Sequence, residues 1–224
     1  MQDELLNDNT PHYDGPEFLE KMKVSEEKML RSNEEFIRAF EILNRHPRRV
    51  TVFGSARDVE ENRLYREQAY ELGQKLAGAG YSVVTGGGNG IMGAANRGAY
   101  EAGGGSVGFN IVLPHEQHPN PYTTDDLTFK HFFTRKVALA FFAQAYIYFP
   151  GGFGTMDELF EVITLTQTKK MPRLRIILVG SDFWGGMIKF IEEKMLAMKV
   201  ISQGDEQLFY ITDDINEVVS LIGK

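Results

Sequence analysis

The sequence contains no cysteine among its 224 residues, which excludes disulfides, thiolate-bound zinc, iron–sulfur clusters and a thiol nucleophile. A reducing, cytoplasmic setting fits that composition. Basic residues are in deficit: 24 Lys and Arg stand against 31 Asp and Glu, for a formal charge of −7. Nucleic acid is therefore not expected as a partner, although a local basic pocket for one small anion is compatible with that charge. Long apolar runs are missing as well. The longest, Val137 to Phe149, contains Gln144 and is shorter than the roughly 20 residues that cross a bilayer, so no membrane span is expected. The opening Met1-Gln2-Asp3-Glu4 lacks the basic-then-apolar order of a signal peptide, and export by that route is not expected. Only five histidines are present. His115 and His118 flank Glu116 without the spacing of a zinc-protease helix and sit among prolines, so no metal site is expected.

What is there is ordinary globular material, 42% hydrophobic and 25% charged, enough for one domain or one domain with an appendage. Residues 1 to about 15, with Pro11, Gly15 and Pro16, read as a tail. From Glu17 to Asn44 the residues Phe18, Met22, Met29, Phe36, Phe40 and Leu43 recur at helical spacing, and His46 and Pro47 end the pattern. This predicts an N-terminal helical extension over 1–45, its stripe packed on its own domain or, alternatively, forming a subunit contact. From residue 46 onward, short apolar strands alternate with amphipathic helices: Val50–Phe53, Tyr81–Thr85, Ser106–Ile111, Tyr146–Phe149 and Arg175–Val179 as strands, with helices near 65–78, 91–102, 135–143, 156–168, 183–198 and 215–222. Leu127–Phe133 reads as an extra strand, and Gln207–Ile211 as a final edge strand. The order predicts an α/β, Rossmann-like, doubly wound and mostly parallel sheet over 46–224, with helices on both faces and ligands beyond the carboxyl ends of the strands.

Glycines concentrate at those ends. Gly54-Ser55-Ala56-Arg57 leaves the first strand; Ser55 and Arg57 there suit a nucleotide, and a tight turn with a surface Arg is the plain alternative. After the second strand comes Thr85-Gly86-Gly87-Gly88-Asn89-Gly90-Ile91-Met92-Gly93. Gly88, Gly90 and Gly93 satisfy GxGxxG, which lets a backbone approach a phosphate at a helix N-terminus. The next strand ends near Asn110 and Ile111 rather than in the acidic residue that grips a dinucleotide ribose, so Gly88, Asn89, Gly90 and Met92 are read as a mononucleotide loop. The third loop is Pro150-Gly151-Gly152-Phe153-Gly154-Thr155-Met156-Asp157-Glu158. Its glycines expose N–H groups at a helix start, and Thr155 can cap the helix or hold an anion. No Gly-Lys-Ser/Thr follows, which excludes a Walker loop. Glu158 falls on nearly the same helix face as Thr155, where a carboxylate beside a phosphate is unfavourable unless it has a task. Arg135 and Lys136 are placed at a helix start, against the dipole, and so suggest an anionic ligand. Phe132, Phe133, Phe141 and Phe142 read as core.

The runs TGGGNGIMGAANRGA, Thr134-Arg135-Lys136, PGGFGTMDE and ELFEVIT resemble the LOG family, cytokinin riboside 5′-monophosphate phosphoribohydrolases often mislabelled as lysine decarboxylases. The resemblance runs from about Val50 to the end of the helix at Met156. It implies a homo-oligomer, dimer or larger, that cleaves the N-glycosidic bond of AMP or cytokinin riboside monophosphates without a cofactor. It also implies Arg135 and Glu158 as the catalytic pair, Lys136 as their basic partner, Gly151, Gly152, Gly154 and Thr155 as the phosphate loop, and Thr164 as a ligand contact. On a straight helix Thr164 stands about 120° from Glu158. The rival readings are a nucleotide or cofactor carrier on the same fold, which does not need both Arg135 and Glu158, and a pyridoxal-phosphate decarboxylase, for which no residue marks the Schiff-base lysine.

Overall fold

A computed structural model describes residues 26–113, 118–141 and 143–223. Phe18, Met22, the tail, His115, Glu116 and Phe142 lie outside the described residues. The chain divides into two compact units, 1–34 and 35–224. Helix α1, Glu26–Arg45, crosses that boundary. Of the first unit, the described part is the start of this helix, where Met29 and Leu30 are exposed.

The second unit is a seven-stranded, wholly parallel sheet. Its strands are β1 Arg49–Phe53, β2 Ser82–Thr85, β3 Ser106–Ile111, β4 Asp125–Phe129, β5 Ala145–Tyr148, β6 Arg175–Val179 and β7 Tyr210–Thr212, in spatial order β4-β3-β2-β1-β5-β6-β7. β1 is buried at all five residues, as a central parallel strand covered on both faces must be. Helices α2 Arg63–Gly78, α3 Gly90–Glu101, α4 Phe132–Ala140, α5 Phe153–Gln167 and α6 Ser181–Phe190 make crossovers between strands, and α7 Ile215–Ile222 follows the last strand. A π-helical turn, Ile191–Leu196, prolongs α6.

Alternate strand residues feed two cores. Val50, Val52, Ile147, Ile177 and Val179 pack with Leu72 and Leu76 of α2, Ile91 and Ala95 of α3 and Val218 of α7. Phe53, Phe109, Tyr146, Tyr148 and Leu178 pack with Ala39, Ile42 and Leu43 of α1, Leu139 of α4, Leu159 and Val162 of α5 and Trp184 of α6. The carboxyl half of the α1 stripe thus packs on its parent domain. Among the described residues no helix is long and apolar enough to cross a membrane.

Two boundaries differ from expectation: the edge strand expected over Gln207–Ile211 is β7 Tyr210–Thr212, with Gln207 in a short 3-10 turn, and the start of α4 is displaced. The run expected as a strand over Leu127–Phe133 ends at Phe129, and Phe132 and Phe133 open α4, three residues ahead of the expected start at Arg135. The two phenylalanines, expected in the core, are instead about half exposed and lie beyond the strand. Their apolar character extended the β pattern across a helix start at His131 that carries no side-chain cap of its own.

Candidate active site

Strand order reverses between β1 and β5, the switch point at which doubly wound sheets open a crevice. There Phe53 and Tyr148, paired in register, stack their rings 4.8 Å apart. Backbone hydrogen bonds tie the three glycine loops together above them: Ser55 N–H donates to Pro150 O at 3.0 Å, and Ile91 N–H donates to Ser55 O at 2.9 Å. Gly90 makes the second junction possible. It sits at φ +60°, where a Cβ would stand 2.7 Å from the Arg57 carbonyl.

The crevice holds a cavity of about 390 Å³ lined by Ser55, Arg57, Gly86, Met92, Arg135, Gly152, Gly154, Thr155, Asp157 and Glu158, with Phe53, Ile111, Leu113, Phe132 and Leu139 as its apolar wall. That volume suits a small ligand with one apolar part. The third loop divides its glycines between two tasks. A Cβ on Gly151 would collide with the Thr155 side chain, so this glycine serves packing, whereas Gly152 and Gly154 face open space. Gly152 is the N-cap of α5, so the cavity meets the positive end of a fifteen-residue helix.

Arg135 enters from α4. Its Nε donates to Phe109 O at 2.7 Å and its Nη2 to Gly86 O at 3.1 Å, which fixes the guanidinium plane. Burial pulls its pKa down, and the negative charge of Glu158 opposes that.

Glu158, one turn into α5, is buried and leaves Oε2 without a hydrogen-bond partner. Burial raises its pKa to about 7 against the opposing charges of Lys136 and Arg135, with Glu161 and Asp157 adding to the rise. Lys136 cannot neutralise it fully, because its ammonium is shared: Asp157 at 2.5 Å, Glu161 at 3.1 Å and Glu158 Oε1 only at 3.8 Å. Burial lowers the Lys136 pKa, but these carboxylates outweigh it and hold the group up as an ammonium. A buried carboxyl with one oxygen free of hydrogen bonds and a displaced pKa in a cleft is the arrangement expected of an acid–base or charge-stabilising group.

Not every expected residue joins this cavity. Asn89 and Gly90 line a second one, of about 660 Å³, with Arg63, Arg66 and Arg97. Those arginines are paired with Glu60 and Glu67, with Asp58, and with Glu101 respectively. Gly88 packs on Met92 and lines neither cavity. Gly151 and Lys136 stand outside the lining, and Thr164 is exposed on α5. The apolar wall was missed from sequence, since Ile111 and Leu113 meet Phe132 only after the β3–β4 crossover. Among the described residues no group of His, Asp or Glu is arranged to hold a metal.

A family model described as "Possible lysine decarboxylase" matches residues 92–222. The cytokinin riboside 5′-monophosphate phosphoribohydrolase LOG of Oryza sativa subsp. japonica is 30% identical over 178 residues, covering 77% of this chain and 67% of that protein. LOG4 of Arabidopsis thaliana, named for the same activity, is 28% identical over 177 residues, 76% of this chain and 80% of that one. Among solved structures, the X-ray structure of TM1055 matches with a TM-score of 0.61 and 26% identity over 79% of this chain and 98% of that chain. The molybdenum cofactor carrier protein of Chlamydomonas reinhardtii shares the fold, at TM-score 0.58 and 22% identity over 79% and 99% of the two chains. Taken with the glycine loops and the Arg135–Glu158 cavity, the family match over most of the sheet and the LOG relatives place the sequence plainly: this chain belongs to the LOG family.

Proposed function

We propose that the chain is a nucleoside 5′-monophosphate phosphoribohydrolase that splits the N-glycosidic bond of AMP or a cytokinin riboside monophosphate into free base and ribose 5-phosphate. The observation that carries the reading is the buried Glu158 carboxyl, its Oε2 without a hydrogen-bond partner, in one cavity with the α5 N-terminus. The 5′-phosphate sits against the Gly152, Gly154 and Thr155 backbone, where the helix dipole favours an anion. The apolar wall takes the base. Cleavage passes through an oxocarbenium-like ribose, and Glu158 stabilises that charge or activates the attacking water. Arg135 assists the departing base or holds the phosphate.

A lysine decarboxylase would need pyridoxal phosphate and a Schiff-base lysine. No lysine lines the cavity, and Lys136 beside it is held as an ammonium by three carboxylates, so these residues do not fit that cofactor. Chromatography of the purified protein with AMP, with its N6-isopentenyl analogue and with lysine tests the assignment. Free base is expected from a nucleotide, with EDTA present or absent. Cadaverine as the sole product would defeat it. Adenosine should be a far poorer substrate than AMP, because the binding energy of the phosphate is lost from the transition state; equal kcat/KM for the two would remove the α5 loop from the mechanism.

We further place the enzyme in the cytoplasm as a homodimer or larger assembly. Phe153, 95% exposed, and the half-exposed Phe132 and Phe133 support self-association. Light scattering of the full chain is expected to give at least twice the monomer mass.

A further inference from the structure

We propose that Glu35, on the N-terminal helix α1, is a positioning residue for the proposed reaction: its buried carboxylate fastens the start of α4 and thereby sets where Arg135 and Lys136 stand. This rests on the phosphoribohydrolase reading for its kinetic consequence only. Glu35 is 9% exposed and lies ten residues before α1 ends. One oxygen accepts from the Lys130 backbone N–H at 2.7 Å. The other accepts from the Thr134 hydroxyl at 2.5 Å and lies 3.2 Å from His131 Nδ1.

These three partners, Lys130, His131 and Thr134, surround one feature, the start of α4. His131 is the N-cap of α4 and supplies no side-chain cap. Lys130 precedes it and Thr134 closes the first turn. A negative group placed there from another element satisfies a backbone N–H and complements the positive end of α4. Although burial raises its pKa, the bonds from Thr134, Lys130 and His131 more than offset that and keep the carboxyl below its ordinary range. The very next residue of α1 adds an apolar contact to the same joint, Phe36 meeting Phe133 edge to face at 6.3 Å.

The next residues of α4 are Arg135 and Lys136. Arg135 must reach Phe109 O and Gly86 O together, and Lys136 must divide itself among three carboxylates of α5. Both arrangements depend on the height and rotation of a nine-residue helix. Such a helix is too short to hold itself. A shift of its first turn moves both cations relative to Glu158, and misplacement on the scale of an ångström is enough to slow a reaction strongly. The N-terminal helix is therefore a strap on the site as well as a cover for the sheet.

The test compares full-length parent, Glu35→Gln and Leu43→Ala, the last a cavity in the same helix that touches no α4 hydrogen bond. Glu35→Gln is expected to lower kcat for AMP by about tenfold with KM held within about threefold. Amide hydrogen exchange over residues 131–141 should quicken while β1 and β5 stay protected. Leu43→Ala should melt earlier and keep its kcat. A folded Glu35→Gln protein with parental kcat and parental exchange in α4 overturns the proposal. If Glu35→Gln does not fold, Thr134→Val removes the hydroxyl that bonds Glu35 Oε2, together with its contact to His131 O, and carries the same expectations. If the parent releases no base from AMP, the reaction assigned above fails, and the exchange measurement alone decides: faster α4 exchange in the variant upholds the positioning role, and unchanged exchange ends it.

Discussion

The two ends of the sheet are built from similar residue types and treat them in opposite ways. At the amino ends, His46 reaches Ser82 Oγ at 2.9 Å through Nδ1 and Asp125 Oδ2 at 2.8 Å through Nε2, while Arg45 pairs with the other Asp125 oxygen. Serine, histidine and aspartate stand in a chain there, yet every member is spent on its neighbour. At the carboxyl ends, Glu158 keeps an unpaired oxygen and Gly152 and Gly154 keep open space. A satisfied polar network rigidifies, whereas an unsatisfied one stores the capacity to act on something that arrives. The difference teaches that residue identity alone does not mark a site; an unpaired group has to stand beside open space as well, as Glu158 does and as the buried, unpaired Arg49 Nε at the amino end does not.

The sharpest way to break that contrast is Glu158→Gln. It keeps the shape and removes the charge, so kcat for AMP should fall by about 100-fold or more while the nucleotide still binds. Calorimetry with AMP beside an adenine-release assay measures both. Turnover within a few fold of the parent would reduce Glu158 to a charge near a helix end. The same substitution should stabilise the fold. A carboxyl whose pKa rises from 4.5 to about 7 on folding costs nothing below pH 4.5 and destabilises progressively as pH rises toward 7. The gain at pH 8 is on the order of 3 kcal/mol, the attraction of Lys136 being already counted in the displaced pKa, and it should vanish toward pH 4. A thermal melt at the two pH values checks the sign.

Arg135→Ala ranks next, because it removes one cation and leaves the carboxylate and the α5 N-terminus in place. A loss of about tenfold or more in kcat is expected. Weaker AMP binding alongside would mean that the guanidinium touches the phosphate. Unchanged kinetics would leave it as a brace between the Phe109 and Gly86 carbonyls.

How much of this was legible follows from what each part depends on. Strand and helix order was readable because periodicity is local, and β3 and β6 stand where the pattern put them. The α4 start was not, since Phe132 and Phe133 continue an apolar run and the group that fixes the start, Glu35, is nearly 100 residues away. Glycines at a helix entrance single out the third loop with Glu158 beside it, paired cations near a helix start single out Arg135, and the resemblance alone joins Arg135 and Glu158 as a pair; the structure brings both to one cavity. The apolar wall could not, because Ile111, Leu113 and Leu139 look like any core residue until the sheet brings them to one crevice. The second glycine loop divided: Gly86 and Met92 face this cavity, and Asn89 and Gly90 face the other. No spacing rule in GxGxxG specifies which side of a loop a residue will serve.

The smallest effect belongs to the amino end, and it sharpens the contrast by being silent in kinetics. His46→Ala removes the centre of the Ser82–His46–Asp125 chain, leaving Ser82 Oγ short of a partner and Asp125 with Arg45. The expected cost is about 1–2 kcal/mol, read as a melting temperature lower by about 2–6 °C. Burial raises the Asp125 pKa, but Arg45 and His46 outweigh it and hold the carboxyl below 3.8. Its contribution is therefore present above pH 3.8 and fades as pH falls through the folded value. The deficit of His46→Ala should accordingly be clear at pH 7 and narrow in acid. Because this network lies across the sheet's length from Glu158, kcat and KM for AMP should stay within about twofold of the parent. A tenfold drop in kcat in a folded His46→Ala protein would show that the two ends are coupled, and that the satisfied end is also part of the working site.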